Sequence, residues 1–268
     1  MGILNLSENS FYDGGMYLSD QAILNRASQI LEEGAQIIDL GAASSQPGSN
    51  DIPENIESER ITHAVKLIRL HFPDAILSID TWRASIAEKA VNAGANIIND
   101  ISGGSFDPLM PSTIGKLQVP YILTHSTAKP KIMQQTLLNG NPLPQMLQFF
   151  GNQINTFKKA GCKDLILDPG FGFGKSIEQN FFLLANLQTF QIFELPILIG
   201  ISRKSMIYRT LDCQPKDALA GTIALNTIAI QKGAAILRVH DVKDAVDIIS
   251  LYQKMAQATA CDTTASHQ

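Results

Sequence analysis

The chain has 268 residues, of which 45% are hydrophobic and 17% charged, and its formal net charge is −4 at pH 7. The apolar share supplies a sizeable core, whereas the low charge content excludes a disordered chain and a protein that coats nucleic acid. The negative net charge argues against general binding to a phosphate backbone, although it does not exclude a local basic pocket. One large α/β domain fits this length, because such domains often contain about 250 residues.

The number and spacing of the cysteines indicate the redox compartment of the protein. Cys162, Cys213 and Cys261 are far apart and odd in number, without a spacing typical of metal ligands, which fits a reducing cytoplasm better than a disulfide scaffold. No apolar run reaches the roughly 18 residues of a membrane span, and Met1 leads directly into a strand pattern instead of a signal peptide. The sequence therefore predicts a cytoplasmic protein with no membrane and no nucleic-acid partner.

Short apolar segments alternate with longer amphipathic segments, which is typical of βα units in a parallel sheet. The predicted strands are residues 2–6, 37–40, 76–79, 97–99, 121–123, 165–167, 197–199 and 236–239. The predicted helices are residues 19–33, 54–70, 83–93, 108–117, 143–160, 178–187, 215–232 and 242–256. Eight such units favour an α/β fold of the (β/α)8 TIM barrel type, in a single domain, over an open doubly wound sheet. The barrel is predicted to span residues 1–257, and residues 258–268 are predicted to be a frayed tail because they lack periodicity.

A five-residue phrase, Gly-Ala-x-Ile-(Ile/Leu), occurs three times, beginning at Gly34, Gly94 and Gly233. It predicts a helix that ends at the glycine, a short turn and then a buried strand. Polar residues follow each copy. Since the chemistry of a barrel lies at the carboxyl ends of its strands, these polar residues are candidate site residues.

Polar side chains lie within, at the end of or just beyond every predicted strand. They are Asn5, Asp39, Asp80, Asn99 with Asp100, His125, Asp168, residues 202–205, and Arg238 with His240. Any single one of them can simply cap a helix or a strand end. Several carboxylates, amides and cations around one mouth, however, would be costly to desolvate unless a ligand or mutual pairing satisfied them.

This mixture of side chains predicts a ligand with two chemically different ends. Asp80, Asn99 and Asp168 can bind the ring N–H and amine groups of a guanine-like heterocycle. The residues suited to an anionic group such as phosphate are Asn5, Lys204, Arg238 and His240. Residues 168–175 form a glycine-rich segment, predicted to be a flexible loop and not a nucleotide P-loop because it lacks the Walker spacing. Its Phe173 either walls an aromatic pocket or packs the loop.

Several motifs in the same order make nearly the whole chain resemble the dihydropteroate synthase family. The matching segments are residues 1–5, 10–15, 78–81, 98–101, 168–175, 200–205 and 238–242. The resemblance implies a transferase that joins 6-hydroxymethyl-7,8-dihydropterin diphosphate to p-aminobenzoate and releases pyrophosphate, in folate biosynthesis. It also implies small-molecule substrates, Mg²⁺ as the cofactor and a homodimer.

The resemblance assigns roles to individual residues. The implied pterin-binding residues are Asp80, Asn99, Asp168, Phe173, Gly200 and Lys204. The implied diphosphate-binding residues are Asn5, Arg238 and His240, with Asn5 acting as a metal ligand through Mg²⁺. The implied catalytic residues are Asn5, Lys204, Arg238 and His240. The implied p-aminobenzoate region contains Phe11, Ser45, Gln46, Pro47, Phe173 and Ser205.

The chain departs from the family pattern mainly in its first two βα loops. The usual Gly-Gly-Glu-Ser-Thr-Arg-Pro-Gly becomes Gly-Ala-Ala-Ser-Ser-Gln-Pro-Gly at residues 41–48, and Asn9 replaces an aspartate. The usual Met-His-Met after the fifth strand becomes Thr-His-Ser at residues 124–126, which makes that wall of the pterin pocket more polar. Because Gln46 lacks the charge of an arginine, we hypothesise weaker turnover or altered p-aminobenzoate recognition, and also reduced sulfonamide sensitivity.

Two alternative functions remain open from the sequence. One is a pterin-binding paralogue that has lost its loop chemistry at Asn9 and Gln46 and does not catalyse a reaction. The other is a methyltetrahydrofolate-binding domain of a methyltransferase, which shares the barrel and the pterin carboxylates. The segments at residues 202–205 and 238–240 favour the synthase, because a methyltransferase domain does not need them.

Overall fold

Short apolar segments form eight parallel strands in the computed structural model, which describes residues 1–6, 19–42 and 52–265. The strands are β1 (Gly2–Asn5), β2 (Ile37–Gly41), β3 (Ile76–Asp80), β4 (Ile97–Asp100), β5 (Tyr121–Thr124), β6 (Leu165–Asp168), β7 (Leu198–Ile199) and β8 (Ile236–Leu237). Their branched apolar side chains favour the pleated, buried conformation of a parallel sheet.

The strands close into a barrel. β1 to β6 form one parallel sheet in chain order, and β7 pairs with β8. An isolated bridge between Leu167 and Ile197 joins the two sheets on one side, and a bridge between Gly2 and Val239 joins them on the other. The predicted (β/α)8 barrel is confirmed, and the open doubly wound sheet is wrong.

Helices surround the strands and mostly follow the predicted positions. They are α1 (Asp20–Glu32), α2 (Glu54–His71), α3 (Ala84–Asn92), α4 (Met110–Leu117), α5 (Pro142–Lys159), α6 (Ile177–Ala185), α7 (Ser205–Tyr208), α8 (Leu219–Gln231) and α9 (Val242–Ala265). The three predicted helix stops adopt the left-handed backbone that favours glycine, with φ of 95° at Gly34, 115° at Gly94 and 95° at Gly233.

The helix predictions were wrong at three places. The short helix α7 was not predicted, and the predicted helix at residues 215–232 divides into a 3₁₀ turn, Pro215–Asp217, followed by α8. Helix α9 continues to Ala265, past the predicted end at residue 256. The division into a barrel of residues 1–257 and a terminal tail stays a prediction. Among the helices of residues 1–6, 19–42 and 52–265, none is long and apolar enough to cross a membrane.

Two apolar layers determine which side chains reach the functional end of the barrel. The larger core lies between the strands and the helices and contains Ile98, Leu123 and Leu167. A smaller cluster contains Ile97, Ile122, Ile166 and Leu198, with Ile37 and Ile236 packed against it. Because side chains alternate along a strand, the second cluster fills the barrel interior, and the residues two positions further along each strand point into its mouth.

Candidate active site at the barrel mouth

Strand alternation gathers a ring of polar and small residues at the carboxyl ends of the strands. The inward-facing residues are Asn5, Gly41, Asp80, Asn99, Thr124, Asp168, Gly200 and Arg238. Register pairs Asn5 with Gly41, Gly41 with Asp80, and Asp80 with Asn99, so these four lie at one level. The ring includes the strand-end residues predicted for the pterin and for Mg²⁺.

Arg238 forms the electrostatic centre of the ring. Its Nε donates to Asp39 Oδ2 at 2.5 Å, and its Nη2 donates to Asp80 Oδ2 at 3.0 Å. Asp39 also accepts from Ser78 Oγ at 2.6 Å and from Asn99 Nδ2 at 3.1 Å. Burial disfavours the charge on Arg238, but the two carboxylates outweigh it and raise the pKa of Arg238 above its ordinary value.

Asp39 is a functional residue to which the sequence assigned no role. Asp39 lies in the middle of β2, where the sequence alone does not indicate its partners. Strand pairing brings Ser78 close to it, and closure of the barrel brings Arg238 close to it. The signal available in the sequence was a carboxylate inside a buried strand, which needs a partner of opposite charge.

The carboxylates of the mouth favour protonation more than ordinary aspartates do. Asp80 is 5% exposed, and its desolvation, opposed by Arg238, raises its pKa to about 7. Desolvation also raises the pKa of Asp168, while Lys204 acts in the opposite direction. Such groups bind the N–H edges of a heterocycle well, because the ligand replaces the water they have lost.

The glycine-rich loop after β6 is hydrogen-bonded to a buried lysine, and its flexibility stays a prediction. Lys175 is 3% exposed, and its Nζ donates to the carbonyls of Gly170 at 2.8 Å, Phe173 at 3.0 Å and His125 at 3.2 Å. Gly170 has φ of 67°, and a Cβ there would lie 2.0 Å from the His125 carbonyl oxygen. The loop therefore requires glycine and is fastened by a buried lysine.

Phe173 and Lys204 form one wall of the mouth. Lys204 Nζ lies 4.3 Å from the centroid of the Phe173 ring and donates to the Phe171 carbonyl. Burial lowers the pKa of Lys204 to about 8, although Asp168 opposes the change. Phe173 also packs with Trp82 and Met133, so it both packs the loop and lines the wall.

His240 lies beside Ser202 just after β8. Ser202 Oγ accepts from the backbone N–H of His240 at 3.3 Å and lies 3.1 Å from His240 Nδ1. Desolvation, followed by the nearby Arg238 charge, lowers the pKa of His240 to about 4. The imidazole is therefore neutral near pH 7, and its tautomer depends on Ser202.

Two polar residues that follow strands do not belong to the mouth. Asp100 faces the outer core, where it accepts hydrogen bonds from Tyr121 Oη at 2.7 Å and Gly104 N at 3.0 Å. His125 also faces outward, and its ring lies edge-on to Phe149 with centroids 4.9 Å apart. Both residues therefore stabilise the fold, which is the structural role that any single polar residue at a strand end can have.

The predicted p-aminobenzoate region is only partly described. Phe11, Ser45, Gln46 and Pro47 lie outside the described residues, as do Asn9 and the divergent positions from residue 43 onwards. Ser205 begins α7 immediately after Lys204, so it lies next to the Phe173 wall.

The mouth has the donor set expected for a magnesium ion that is shared with a substrate. Residues 1–6, 19–42 and 52–265 contain no group of three or more His, Cys, Asp or Glu side chains that could hold a metal. Mg²⁺ commonly takes one or two protein oxygens and completes its shell with phosphate and water. Asn5 supplies an amide oxygen beside Gly41, where a Cβ would lie 3.8 Å from it, so the residues fit such an ion.

Comparisons with known proteins match nearly the whole chain. A family model described as pterin binding enzyme matches residues 1–240. A dihydropteroate synthase from Haemophilus influenzae is 39% identical over 260 residues, which cover 96% of this chain and 94% of the relative. One from Escherichia coli K12 is 36% identical over 260 residues, covering 96% and 92%.

Solved structures show the same similarity. The dihydropteroate synthase of Yersinia pestis in complex with a sulfonamide drug superimposes with a TM-score of 0.91 at 37% identity, covering 96% of this chain and 93% of that chain. A dihydropteroate synthase of Clostridium difficile, solved in the presence of pteroic acid, gives a TM-score of 0.88 at 34% identity, covering 95% of each.

Proposed function

The chain belongs to the dihydropteroate synthase family of pterin-binding enzymes, and from this premise we propose how its residues divide the work. It is a transferase of folate biosynthesis that joins 6-hydroxymethyl-7,8-dihydropterin diphosphate to p-aminobenzoate and releases pyrophosphate. The amine of p-aminobenzoate forms a C–N bond to the pterin methylene as the C–O bond to diphosphate breaks, and the electron pair of the C–O bond leaves with pyrophosphate. The amine nitrogen then loses one proton to solvent. No protein nucleophile is required.

Asp80, Asn99 and Asp168 bind the pterin edge. The observation that carries this assignment is that the three side chains lie in one inward ring, at most 7% exposed, with Asn99 Oδ1 buried and without a hydrogen-bond partner among the described residues. Carboxylate and amide oxygens accept from ring N–H and amine groups. Gly200, which is buried in the same ring, leaves room for the flat ring.

Lys204 and Phe173 bind the pterin from the side. The cation over the aromatic ring forms a flat, partly apolar wall against which a heterocycle can stack. Lys204 also places a positive charge opposite Asp168, which opposes the rise in the pKa of that carboxylate caused by its burial. The p-aminobenzoate lies beyond this wall, against Ser205 and the loops that contain Phe11, Ser45, Gln46 and Pro47.

Arg238 and His240 bind the diphosphate and stabilise it as it leaves. The bonds to Asp39 and Asp80 use only part of the N–H groups of the Arg238 guanidinium, so others remain for phosphate oxygens. Ser202 Oγ accepts a hydrogen bond from the His240 backbone N–H, so the hydroxyl proton of Ser202 is best donated to His240 Nδ1. Nδ1 is then unprotonated, and the ring proton of the neutral imidazole lies on Nε2. Nε2 then donates to a phosphate oxygen at the pH of the cytoplasm.

Asn5 would hold Mg²⁺ through its amide oxygen, with the substrate diphosphate as the other main ligand. When bound, the ion neutralises charge that develops on the leaving pyrophosphate. The protein contributes the position of Asn5 at the end of β1, fixed by its pairing with Gly41. Catalysis is then mainly stabilisation of the leaving group and alignment of the weak aniline nucleophile.

One experiment tests the function directly. The protein is incubated with the pterin diphosphate, p-aminobenzoate and Mg²⁺, and pyrophosphate and dihydropteroate are measured. Equal amounts of both products are expected. Pterin binding without product would indicate the non-catalytic paralogue, and methyltetrahydrofolate binding without diphosphate affinity would indicate a methyltransferase domain.

The chain forms a homodimer through the faces of α6 and α8. Helix α8 is apolar around its circumference, yet its buried residues include Thr222 and Asn226, while Ile228 is 38% exposed. Phe182 on α6 is 40% exposed. An apolar helix with an exposed apolar face favours a partner surface. Light scattering after size-exclusion chromatography tests this assignment, since a monomer would contradict it.

The protein is located in the cytoplasm. Cys162 and Cys213 are not joined in disulfides, which fits a reducing compartment. Cell fractionation tests this location.

A further inference from the structure

Thr124 contributes a hydroxyl to the inward ring of the mouth, and the roles above leave this hydroxyl unused. It ends β5, is 1% exposed, and its Oγ1 has no hydrogen-bond partner among the residues that the structure describes. A buried hydroxyl without a partner is costly, so such atoms in a native protein need an explanation. A ligand that reaches the mouth supplies one.

The neighbours of Thr124 identify the part of the ligand that it faces. Thr124 pairs in register with Asp168 on β6, whereas Asn99 on β4 pairs with Ile122, which lies two residues before Thr124 and points to the same side of β5. Asn99 Nδ2 donates to Asp39, while Asn99 Oδ1 is buried and unpaired among the described residues. Thr124 therefore lies beside a carboxylate and one inward layer further along the barrel than an amide oxygen, and a ligand edge that contacts these acceptors is rich in N–H donors.

The orientation of the side chain supports this contact. A Cβ at Gly170 would lie 3.1 Å from Thr124 Cγ2, so the methyl group is turned towards the glycine loop. Because Thr is branched at Cβ, the hydroxyl occupies a different branch from the one that packs on the loop. His125 Nδ1 is also buried and unpaired among the described residues, but its ring packs against Phe149 in the outer core and does not share this mouth.

We propose that Thr124 is a specificity-determining residue for the pterin, with its Oγ1 accepting a hydrogen bond from the exocyclic amine of the ring. This inference rests on the proposed function and adds to it. A site that hydrogen-bonds an amine discriminates against a ligand lacking that amine, because its own polar atom is then left buried without a partner.

Equilibrium binding of two ligands tests the assignment. 6-Hydroxymethylpterin and its analogue without the 2-amino group are titrated into the wild type, Thr124→Val and Thr124→Ser. The valine variant is expected to bind the pterin about tenfold more weakly and the analogue with unchanged affinity, so that the preference for the amine shrinks. The serine variant keeps the hydroxyl and is expected to keep the preference.

Each outcome decides a separate question. An equal loss for both ligands in Thr124→Val, or no loss for either, would overturn the role of Thr124. If that variant does not fold, Thr124→Ala replaces it in the comparison with Thr124→Ser. Wild-type protein that binds no pterin and forms no dihydropteroate would instead overturn the proposed function, so the two failures are distinguishable.

Discussion

Arg238 and Asp39 are 199 residues apart in the sequence, yet Arg238 Nε donates to Asp39 Oδ2 at 2.5 Å. β1 lies between their strands, and the bridge from Gly2 to Val239 brings β8 to its side. The same guanidinium reaches Asp80 on β3. Two carboxylates therefore orient the cation that is proposed to bind the diphosphate. One is Asp39, to which no substrate contact is assigned, and the other is Asp80, which is proposed to bind the pterin.

We predict that Asp39→Asn impairs both stability and activity. Removing one charge of a buried pair leaves the other poorly compensated, so the free energy of unfolding should fall by about 3 kcal/mol. kcat/KM for the pterin diphosphate should fall roughly 100-fold, because Arg238 loses its orientation. Denaturant unfolding and steady-state kinetics measure the two effects.

Asp20→Asn is the matched control for this change. Asp20 also forms an ion pair, with His63 at 2.6 Å, but its side chain is 61% exposed. Its replacement should change the free energy of unfolding by less than about 0.5 kcal/mol, because exposed pairs contribute little. If Asp39→Asn behaves like this control, Asp39 does not orient Arg238.

The pH dependence should be set by Asp80 and Lys204. Asp80, whose pKa is raised to about 7, must be ionised to accept from the pterin, so kcat/KM should rise as the pH increases through that value. Lys204, whose pKa is lowered to about 8, loses its charge above it, and activity should fall again. Lys204→Arg keeps a charge and should abolish the alkaline decline. An unchanged alkaline limb in that variant would exclude Lys204 as its source.

Lys175 should be important for the shape of the mouth, not for charge in it. Lys175→Met removes its three bonds to loop carbonyls and should lower the free energy of unfolding by about 2 kcal/mol. We expect KM for the pterin diphosphate to rise more than kcat falls, since the loop carries the Phe173 wall. Lys159→Met, at an exposed position, is the control and should leave both constants unchanged. A purely chemical role for Lys175 would reduce kcat at constant stability.

The activity should require Mg²⁺, and the Mg²⁺ concentration that it requires should depend on Asn5. Chelation by EDTA should abolish turnover, and added Mg²⁺ should restore it, while binding of 6-hydroxymethylpterin, which has no diphosphate, should persist. Asn5→Ala should raise the Mg²⁺ concentration needed for half-maximal activity by about tenfold. The same requirement in the variant and the wild type would remove Asn5 from the metal site.

The predicted low sensitivity to sulfonamides depends on Gln46. The wild type is expected to be inhibited weakly by sulfamethoxazole, because Gln46 lacks the charge of an arginine. Gln46→Arg should lower KM for p-aminobenzoate and Ki for the drug, each by about tenfold. Potent competitive inhibition of the wild type would contradict this hypothesis.

The sequence by itself determined the alternation of strands and helices, the three glycine stops and the family. These depend on local periodicity and on motifs of a few residues, as with the phrases that begin at Gly34, Gly94 and Gly233. It also indicated that Asp80, Asn99 and Asp168 lie near the mouth, because a residue at the carboxyl end of a barrel strand lies there wherever the other strands are.

Only the tertiary structure decided which polar residues face that mouth. Asn99 and Asp100 are consecutive residues, as are Thr124 and His125, yet alternation along the strand sends one of each pair inward and the other into the outer core. Which parity points inward depends on register and closure across all eight strands. For the same reason, two features emerge only when the barrel is closed: the pairing of Asp39 with Arg238, and the hydroxyl of Thr124, which has no partner in the described part of the chain.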